Sequence, residues 1–221
     1  NLFENKYINL KEYNFLKEKK IILNKTKKIF LEDAQYYIED VRKNIIKKLT
    51  YEKVYKQGFN INTPINLELQ KIATKSLRDG LIKYDKRKGW HGVLENRKYS
   101  NDWFIGLEKF KLEDSINWKL AIVKKINKFS AQIETIDKIK GEINYADITW
   151  TKKEFDDLLD LGDIIYVKKK DNHKYSLKQI PKINGGIVVL DPYTGRVLAL
   201  SGGFSFKNSE FNRATQALRQ P

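Results

Sequence analysis

Residues 119–180 constrain the fold more than any other stretch, because they hold five runs of strand character with one helical interruption. The runs lie at 119–127 (KLAIVKKIN), 129–136 (FSAQIETI) and 140–150 (KGEINYADITW), then at 163–169 (DIIYVKK) and 173–180 (HKYSLKQI). Each is rich in β-branched and aromatic residues and is bounded by turn formers. After the third run, Thr151 and Glu154 make a T-x-x-E pattern. It is read as a capping box, in which each side chain satisfies a free backbone N–H of a helix's first turn. Phe155, Leu158 and Leu159 give that helix an apolar face, Gly162 ends it, and Asp171-Asn172 mark the last turn. Three strands, a helix and two strands is the order of a small Greek-key barrel of the OB type.

The flanks read differently. Over 28–49, Ala34, Tyr37, Ile38, Val41, Ile45 and Leu49 recur in steps of three and four, which predicts an amphipathic helix. Phe59, Ile61 and Thr63 alternate after Gly58 and predict a short strand ending at Pro64. A second helix is expected over 66–84, with Asn66 as N-cap. Its apolar stripe is Leu69, Ile72, Ala73, Leu77, Leu81 and Tyr84, and Gly80 on that stripe would admit close packing. Asp85–Gly92 reads as a basic turn, and polar sequence with a short helix runs to about 118. Past the barrel, Ile187–Leu190 suits a strand buried on both faces, and Arg196–Leu200 runs back beside it. Between them Asp191 can cap its own backbone, Pro192 fixes φ, and Gly195 supplies the positive φ that re-enters a strand.

The net charge of +15 raises the question of nucleic acid. The excess is spread, however: +6 over 1–60, +4 over 61–104, +3 over 105–182 and +2 over 183–221. Lysine outnumbers arginine 36 to 7, a mixture that AT-rich codon usage alone produces, so a solvated lysine-rich surface is the plain reading. The barrel's aromatic residues, Trp118, Phe129, Tyr145, Trp150, Tyr166 and Tyr175, are read as core rather than as a base-stacking platform. An OB module holding single-stranded nucleic acid is kept as the alternative.

Absence of Cys excludes disulfides and Cys-ligated zinc. His91 and His173 lie far apart and read as exposed loop residues, so no metal and no cofactor is expected. No apolar run approaches the ~18 residues of a membrane span. The chain lacks Met and stops at Pro221 in mid-motif, which leads to the expectation of a segment of a longer protein. No self-contained catalytic signature is present. Ser201, Ser205 and Ser209 each lack a Lys three residues on, and are read as ordinary loop serines because a hydroxyl without a positioned base is a poor nucleophile.

One more reading comes from a resemblance. Gln179-Ile180-Pro181, Leu190-Asp191-Pro192, Thr194-Gly195, Ala199, Gly202-Gly203-Phe204, Phe206, Ser209, Phe211–Ala217 and Arg219-Gln220-Pro221 together resemble class A penicillin-binding proteins of the 1A type. Upstream, Tyr7-Ile8 with Glu12-Tyr13 is similar to the last helices of that family's glycosyltransferase domain. Tyr36, Val41-Arg42, Tyr55, Gly58-Phe59, Leu69-Gln70 and Gly80-Leu81 resemble its linker. Tyr84-Asp85, Arg87, Gly89-Trp90 and Gly92 resemble its YDxRxGWxG segment. Asn62 and Asn66 stand where the family usually has Thr and Asp, and both keep cap and turn chemistry.

The resemblance implies an α+β chain: a helical linker, an inserted OB-like five-stranded β-barrel, and the first hairpin of a penicillin-binding transpeptidase sheet. The divisions it implies are 1–50 (end of the glycosyltransferase domain and linker helices), 51–104 (linker and N-terminal part of the transpeptidase domain), 105–182 (OB-like insert) and 183–221 (start of the transpeptidase domain). It further implies a bifunctional, penicillin-sensitive peptidoglycan synthase at the periplasmic face of the bacterial inner membrane, held by an anchor outside this chain. Its partners would be peptidoglycan strands, the lipid-linked precursor and a periplasmic or outer-membrane regulatory protein at the insert, with no nucleic acid. In that family Arg-Gln-Pro leads directly into Gly-Ser-x-x-Lys-Pro. The nucleophilic serine is thus expected just beyond Pro221, no catalytic residue is assigned within the chain, and the chain alone is expected to be inactive.

Overall fold

The computed structural model describes residues 2–19 and 31–218. The chain divides into two compact units, Asn1–Phe30 and Leu31–Pro221. The first holds helix α1 (Leu10–Glu18), which begins on a complete capping box. Asn9 Oδ1 accepts from the Glu12 amide and Glu12 returns a bond to the Asn9 amide, both at 2.9 Å.

The second unit opens with a 3-10 turn at Glu32–Ala34 and three helices: α2 (Gln35–Leu49), α3 (Tyr51–Lys56) and α4 (Leu67–Lys86). Residues 28–30 of the expected first helix lie outside the described residues. The buried face of α2 matches the expected one in part: Ala34 and Tyr37 are buried and Val41 packs beside them, but Tyr36 is buried as well, whereas Ile38 and Leu49 are exposed. The strand expected at 59–63 does not form. Phe59 and Ile61 are exposed, and no strand pairs with this segment. Alternation predicts a strand only where a neighbour and a core exist to reward it.

In α4 the Asn66 cap is as expected, its Oδ1 accepting from the amides of Glu68 and Leu69. The stripe is not. Ile72 and Tyr84 face solvent, and a Cβ on Gly80 would meet nothing within 4 Å, so Gly80 admits no close packing. The buried line instead combines Ala73 and Leu81 with Gln70, Thr74 and Asp85.

The barrel is built from β2 (Lys119–Asn127), β3 (Ser130–Thr135), β4 (Lys140–Asn144), β5 (Asp163–Asp171) and β6 (Lys174–Lys178), preceded by the two-residue β1 (Glu95–Asn96). Antiparallel pairs join β2 to β3, β3 to β4, β2 to β5 and β5 to β6. A parallel pair closes the ring between β4 and β6, with Ile143 opposite Tyr175. This is the OB arrangement, with β1 added along β5. The third strand is shorter than the expected 140–150, because Tyr145–Asp147 and Thr149–Thr151 form 3-10 turns. The helix after them, α5 (Phe155–Leu158), starts at Glu154 without a side-chain cap. Thr151 Oγ1 instead donates to the Ile148 carbonyl, and Glu154 accepts from the Tyr145 hydroxyl, so the capping box is not made.

Two cores share the barrel wall. Ala121, Val123, Ile165 and Val167 point inward and meet Ile133, Ile143, Tyr175, Leu177 and Phe155. The alternate residues Leu120, Ile122, Ile164 and Tyr166 point outward and meet Trp103, Leu107, Leu112, Ile116, Leu81 and Phe204. Residues 103–116, read from sequence as mostly polar, therefore supply one side of a core. Last come β7 (Ile187–Leu190) and β8 (Val197–Ser201), an antiparallel hairpin pairing Val188 with Leu200. Its first strand is not buried on both faces, since Val188 and Leu190 are exposed. No helix among the described residues is long and apolar enough to cross a membrane.

One polar knot ties the barrel to α4. Asp85, 1% exposed, accepts from His91 Nε2 at 2.9 Å, from Gln179 Nε2 at 2.7 Å and from the Lys182 amide at 3.0 Å. Gln179 in turn accepts from the His91 amide. His91 is thus a partner of a buried carboxylate, not the exposed loop residue expected, while His173 sits at the exposed β5–β6 turn. Replacing Asp85 strands three donors. Asp85→Ala is expected to cost about 3 kcal/mol of stability in urea denaturation and to speed hydrogen exchange at the Lys182 and His91 amides. An unchanged midpoint would show that the knot is not structural.

Candidate functional site

The segment that follows β8, residues 202–217, has almost no regular structure. Its backbone groups are satisfied partly within the segment and partly by side chains from elsewhere in the second unit. The turn of the preceding hairpin behaves as its chemistry demands. Asp191 accepts from the Tyr193 amide at 3.0 Å and from the Thr194 hydroxyl, and Gly195 adopts φ +68°. Those bonds hold the Asp191 carboxyl below its usual range. The Gly195 amide donates to the Asp191 carbonyl at 2.8 Å, closing the turn.

Gln70 then acts as a strand partner. Its Oε1 accepts from the Leu200 amide and its Nε2 donates to the Leu200 carbonyl, both at 2.9 Å. Nε2 also reaches the Asp33 carbonyl at 2.8 Å. Two turns along α4, Arg78 donates from Nε to the Phe204 carbonyl at 2.9 Å and from Nη1 to Asp33 Oδ1 at 3.1 Å. Asn184 Oδ1 accepts from the Phe204 amide at 2.9 Å.

The next turn rests on two buried groups. Glu113, 2% exposed, accepts from Ser205 Oγ at 2.7 Å and from the Lys207 amide at 3.0 Å. The Tyr36 hydroxyl lies 2.6 Å from the Ser209 carbonyl and 3.1 Å from that of Ser205. Burial pushes Tyr36 up to about 12, opposed by the charge of Arg213. Gly203 is required here: a Cβ would collide with the Tyr36 hydroxyl. Arg213 returns to the start of the segment, its amide donating to the Gly202 carbonyl at 3.2 Å.

These contacts place the three serines singled out from sequence. Ser201 is buried and lies beside the Gly203 carbonyl, Ser205 is buried against Glu113, and Ser209 Oγ accepts from Arg213. The Ser205–Glu113 pair is buried, and among the described residues no lysine or histidine side chain bonds to it, the Lys207 ammonium going to the Leu112 carbonyl instead, so what the arrangement can do is position backbone. Arg219, Gln220 and Pro221 lie outside the described residues. Among the described residues no group of three His, Asp or Glu gathers as metal ligands. Gln70, Asp33, Arg78, Glu113 and Asn184 were not singled out as site residues from sequence. Their only local signal is a polar residue at an inward helical step, as Gln70 is beside Ala73.

The six barrel aromatics do not make a stacking platform. Tyr166 and Tyr175 are buried, Trp118, Tyr145 and Trp150 pack against the two cores, and Phe129 alone of the six is exposed.

Comparisons with known proteins agree with this geometry. The family described as "Penicillin-binding protein OB-like domain" matches residues 90–183. Penicillin-binding protein 1A of Rickettsia prowazekii is 37% identical over 100% of this chain and 28% of its own length. That of Haemophilus influenzae is 30% identical over 99% of this chain and 26% of its own. The crystal structure of penicillin-binding protein 1A from Haemophilus influenzae superposes with a TM-score of 0.73, covering 97% of this chain and 32% of that one. The chain belongs to the class A penicillin-binding proteins. Within that class it is similar throughout to the 1A type, and it spans 28% of the length of the Rickettsia prowazekii relative.

The loop's dependence on buried side chains is open to test. Glu113→Ala leaves the Ser205 hydroxyl and the Lys207 amide without an acceptor and is expected to cost about 2–3 kcal/mol. Amide exchange over 205–209 should accelerate before that of the barrel strands. Uniform exchange across both regions would remove Glu113 from this role.

Proposed function

We propose that this chain is part of a bifunctional peptidoglycan synthase that polymerises lipid-linked disaccharide-peptide and cross-links stem peptides. The reading is carried by one observation: the β7–β8 hairpin and the segment 202–217 are held by buried side-chain hydrogen bonds from Gln70, Arg78, Glu113 and Asn184. Such a scaffold suits the task of fixing the start of a nucleophile's helix, whose positive end would favour the anion that develops in acyl transfer. The reacting serine lies past Pro221 in this reading. Its hydroxyl attacks the D-alanyl-D-alanine carbonyl, an ester to the serine forms, the peptide bond breaks, and the terminal D-alanine leaves with the proton. An amine of a neighbouring strand then attacks the ester, forming the cross-link and freeing the serine. β-Lactams acylate the same hydroxyl. The enzyme works on the periplasmic side of the inner membrane, and this chain supplies scaffold and no catalytic group.

The hairpin tests the reading. Val at position 195 must take a φ that costs an L residue with a Cβ about 1–2 kcal/mol, and a β-branched one more. In the full-length enzyme carrying this segment, Gly195→Val is expected to slow acylation by a fluorescent penicillin several-fold and to lower the melting temperature. Labelling and melting both at wild-type levels would end the claim that the hairpin positions the serine.

We further propose that the barrel region 105–182 docks a regulatory protein. Its support is that the barrel strands form a separate closed sheet, joined to the rest of the second unit through the β2–β5 wall, the Asp85 knot and the contacts of Glu113 and Ser115. Excising 105–182 from the full enzyme should abolish stimulation of glycan polymerisation by periplasmic extract, with the basal polymerisation rate and melting temperature measured alongside as the control for folding. Stimulation that survives the deletion rules this role out.

A further inference from the structure

The outer face of β5 and β6 carries an unbalanced cluster of charge. On β5, Lys168 alternates with the inward Val167 and shares the face of Tyr166, and Lys170, at the register shift that follows, brings its charge close to Lys178. On β6, Lys178 pairs opposite Tyr166, and Ser176 pairs opposite Lys168, so Lys178 is on that face too. Lys86 enters from the last turn of α4, its ammonium 5.0 Å above the ring of Trp150. One carboxylate opposes these four lysines: Asp147, in the turn after β4, 2.8 Å from Lys170. Neither Lys168 nor Lys178 has a carboxylate within ion-pair distance among the described residues.

An ordinary lysine-rich surface does not look like this. Solvated lysines spread apart and keep their heads in water. Lys178 does neither. Its ammonium is half-buried, and burial, with Lys86 and Lys168 nearby, brings it down to about 8. Lys86 is likewise lowered by burial, with Asp147 opposing. A methionine at 178 would fill the same space without placing a desolvated ammonium among three others. The geometry therefore lacks a counter-charge, and the missing charge is more than one unit.

We propose that Lys86, Lys168, Lys170 and Lys178, flanked by Trp150, form a binding site for a multivalent phosphate, either free in solution or carried on a lipid headgroup. Lysine binds phosphate as a compact point charge with three donors, and several converging lysines match a di- or trianion better than a single carboxylate does. The site stands on the barrel's outer face and does not rest on the enzymatic reading above.

The test uses the 221-residue chain with inorganic pyrophosphate in titration calorimetry, and with vesicles of cardiolipin, whose headgroup carries two phosphates, and phosphatidylcholine in flotation. Wild type should bind one or both probes. Lys178→Met should weaken binding about tenfold and Lys168→Gln about threefold. Lys178→Met should also melt at or above the wild-type temperature, since it removes a buried charge, so lost binding cannot be put down to misfolding. The charged groups facing Lys178 are Lys86 from α4, Lys168 and Lys170 from β5, and Asp147. An anion binds the protonated ammonium. As pH falls from 9 to 7, through about 8, wild-type affinity should therefore gain up to about tenfold over that of Lys178→Met. The probe's own ionisation is common to both proteins and cancels. Binding to pyrophosphate alone assigns a soluble ligand, and binding to cardiolipin vesicles alone assigns a headgroup. If wild type binds neither probe, or if Lys178→Met binds as wild type does, the site does not exist.

Discussion

The wall formed by β2 and β5 is the constraint on which the rest of the second unit depends, because it is buried on both faces. Ala121 and Val123 look into the barrel while Leu120 and Ile122 look out, and all four are nearly inaccessible. On the facing strand Ile165 and Val167 look in, and Ile164 and Tyr166 look out. Each such aliphatic side chain contributes about 1.5–3 kcal/mol by leaving water. More important is what the two faces do to register. A slip of one residue would drive Ile122 into the barrel space that Ala121 fills and leave the outer core underpacked, so both cores would fail together. The wall holds its register because no shifted alternative satisfies either side. The irregularity in β2 between Val123 and Lys125 falls where double burial ends and the strand continues against β3 alone.

Around that wall, irregular chain is held by polar side chains rather than by ladders. A buried backbone amide or carbonyl without a partner costs about 1–3 kcal/mol, so a loop that leaves the sheet must find donors and acceptors elsewhere. Segment 202–217 finds them in Arg78, Glu113, Asn184 and Tyr36, and the free edge of β8 just before it finds them in Gln70. Gln70 is the clearest case. A primary amide carries a donor and an acceptor side by side, as one edge of a peptide does, and here it completes the edge of β8. These are neutral or charge-assisted bonds to backbone. They fix a path for the chain without building reactive chemistry on it.

Much of this architecture could be read from sequence, for identifiable reasons. The barrel strands were readable because their pattern of burial is set by a core within the barrel itself, and the β7–β8 turn because Asp191 and Gly195 act locally. The failures share a cause. Phe59 and Ile61 alternate like a strand, but no neighbour exists to pair with them. Thr151 and Glu154 are spaced as a capping box, but a 3-10 turn claims the threonine and Tyr145 claims the glutamate. On α4, periodicity marked Ile72 as inward, whereas the helix turns Gln70, Thr74 and Asp85 to the interior. A buried polar residue has the same letter as a surface one, and only its distant partners reveal it. Asp85 waits for Gln179 and Lys182, far along the chain, and His91 becomes a buried partner through the same meeting. The resemblance carried Gln70 and Asp85 in its motifs without giving their roles.

Taken together, those polar residues make α4 a strut. Gln70 holds the hairpin, Arg78 the loop after it, and Asp85 the barrel's exit strand, all from one helix. At 1.5 Å per residue, the first and last of these attachments are roughly 22 Å apart. A helix of that length bends little, so the distance between hairpin and barrel is set by the helix and not by the loops joining them. Asp85, together with Leu81 in the shared outer core, couples the barrel to α4, and Gln70 couples α4 to the Leu200 edge of β8. The route needs no chain of small side-chain adjustments, because one rigid element carries both attachments. That economy accounts for polar groups being buried along a helix where apolar ones would pack with less desolvation: each fixes a direction as well as a distance, which an aliphatic contact does not.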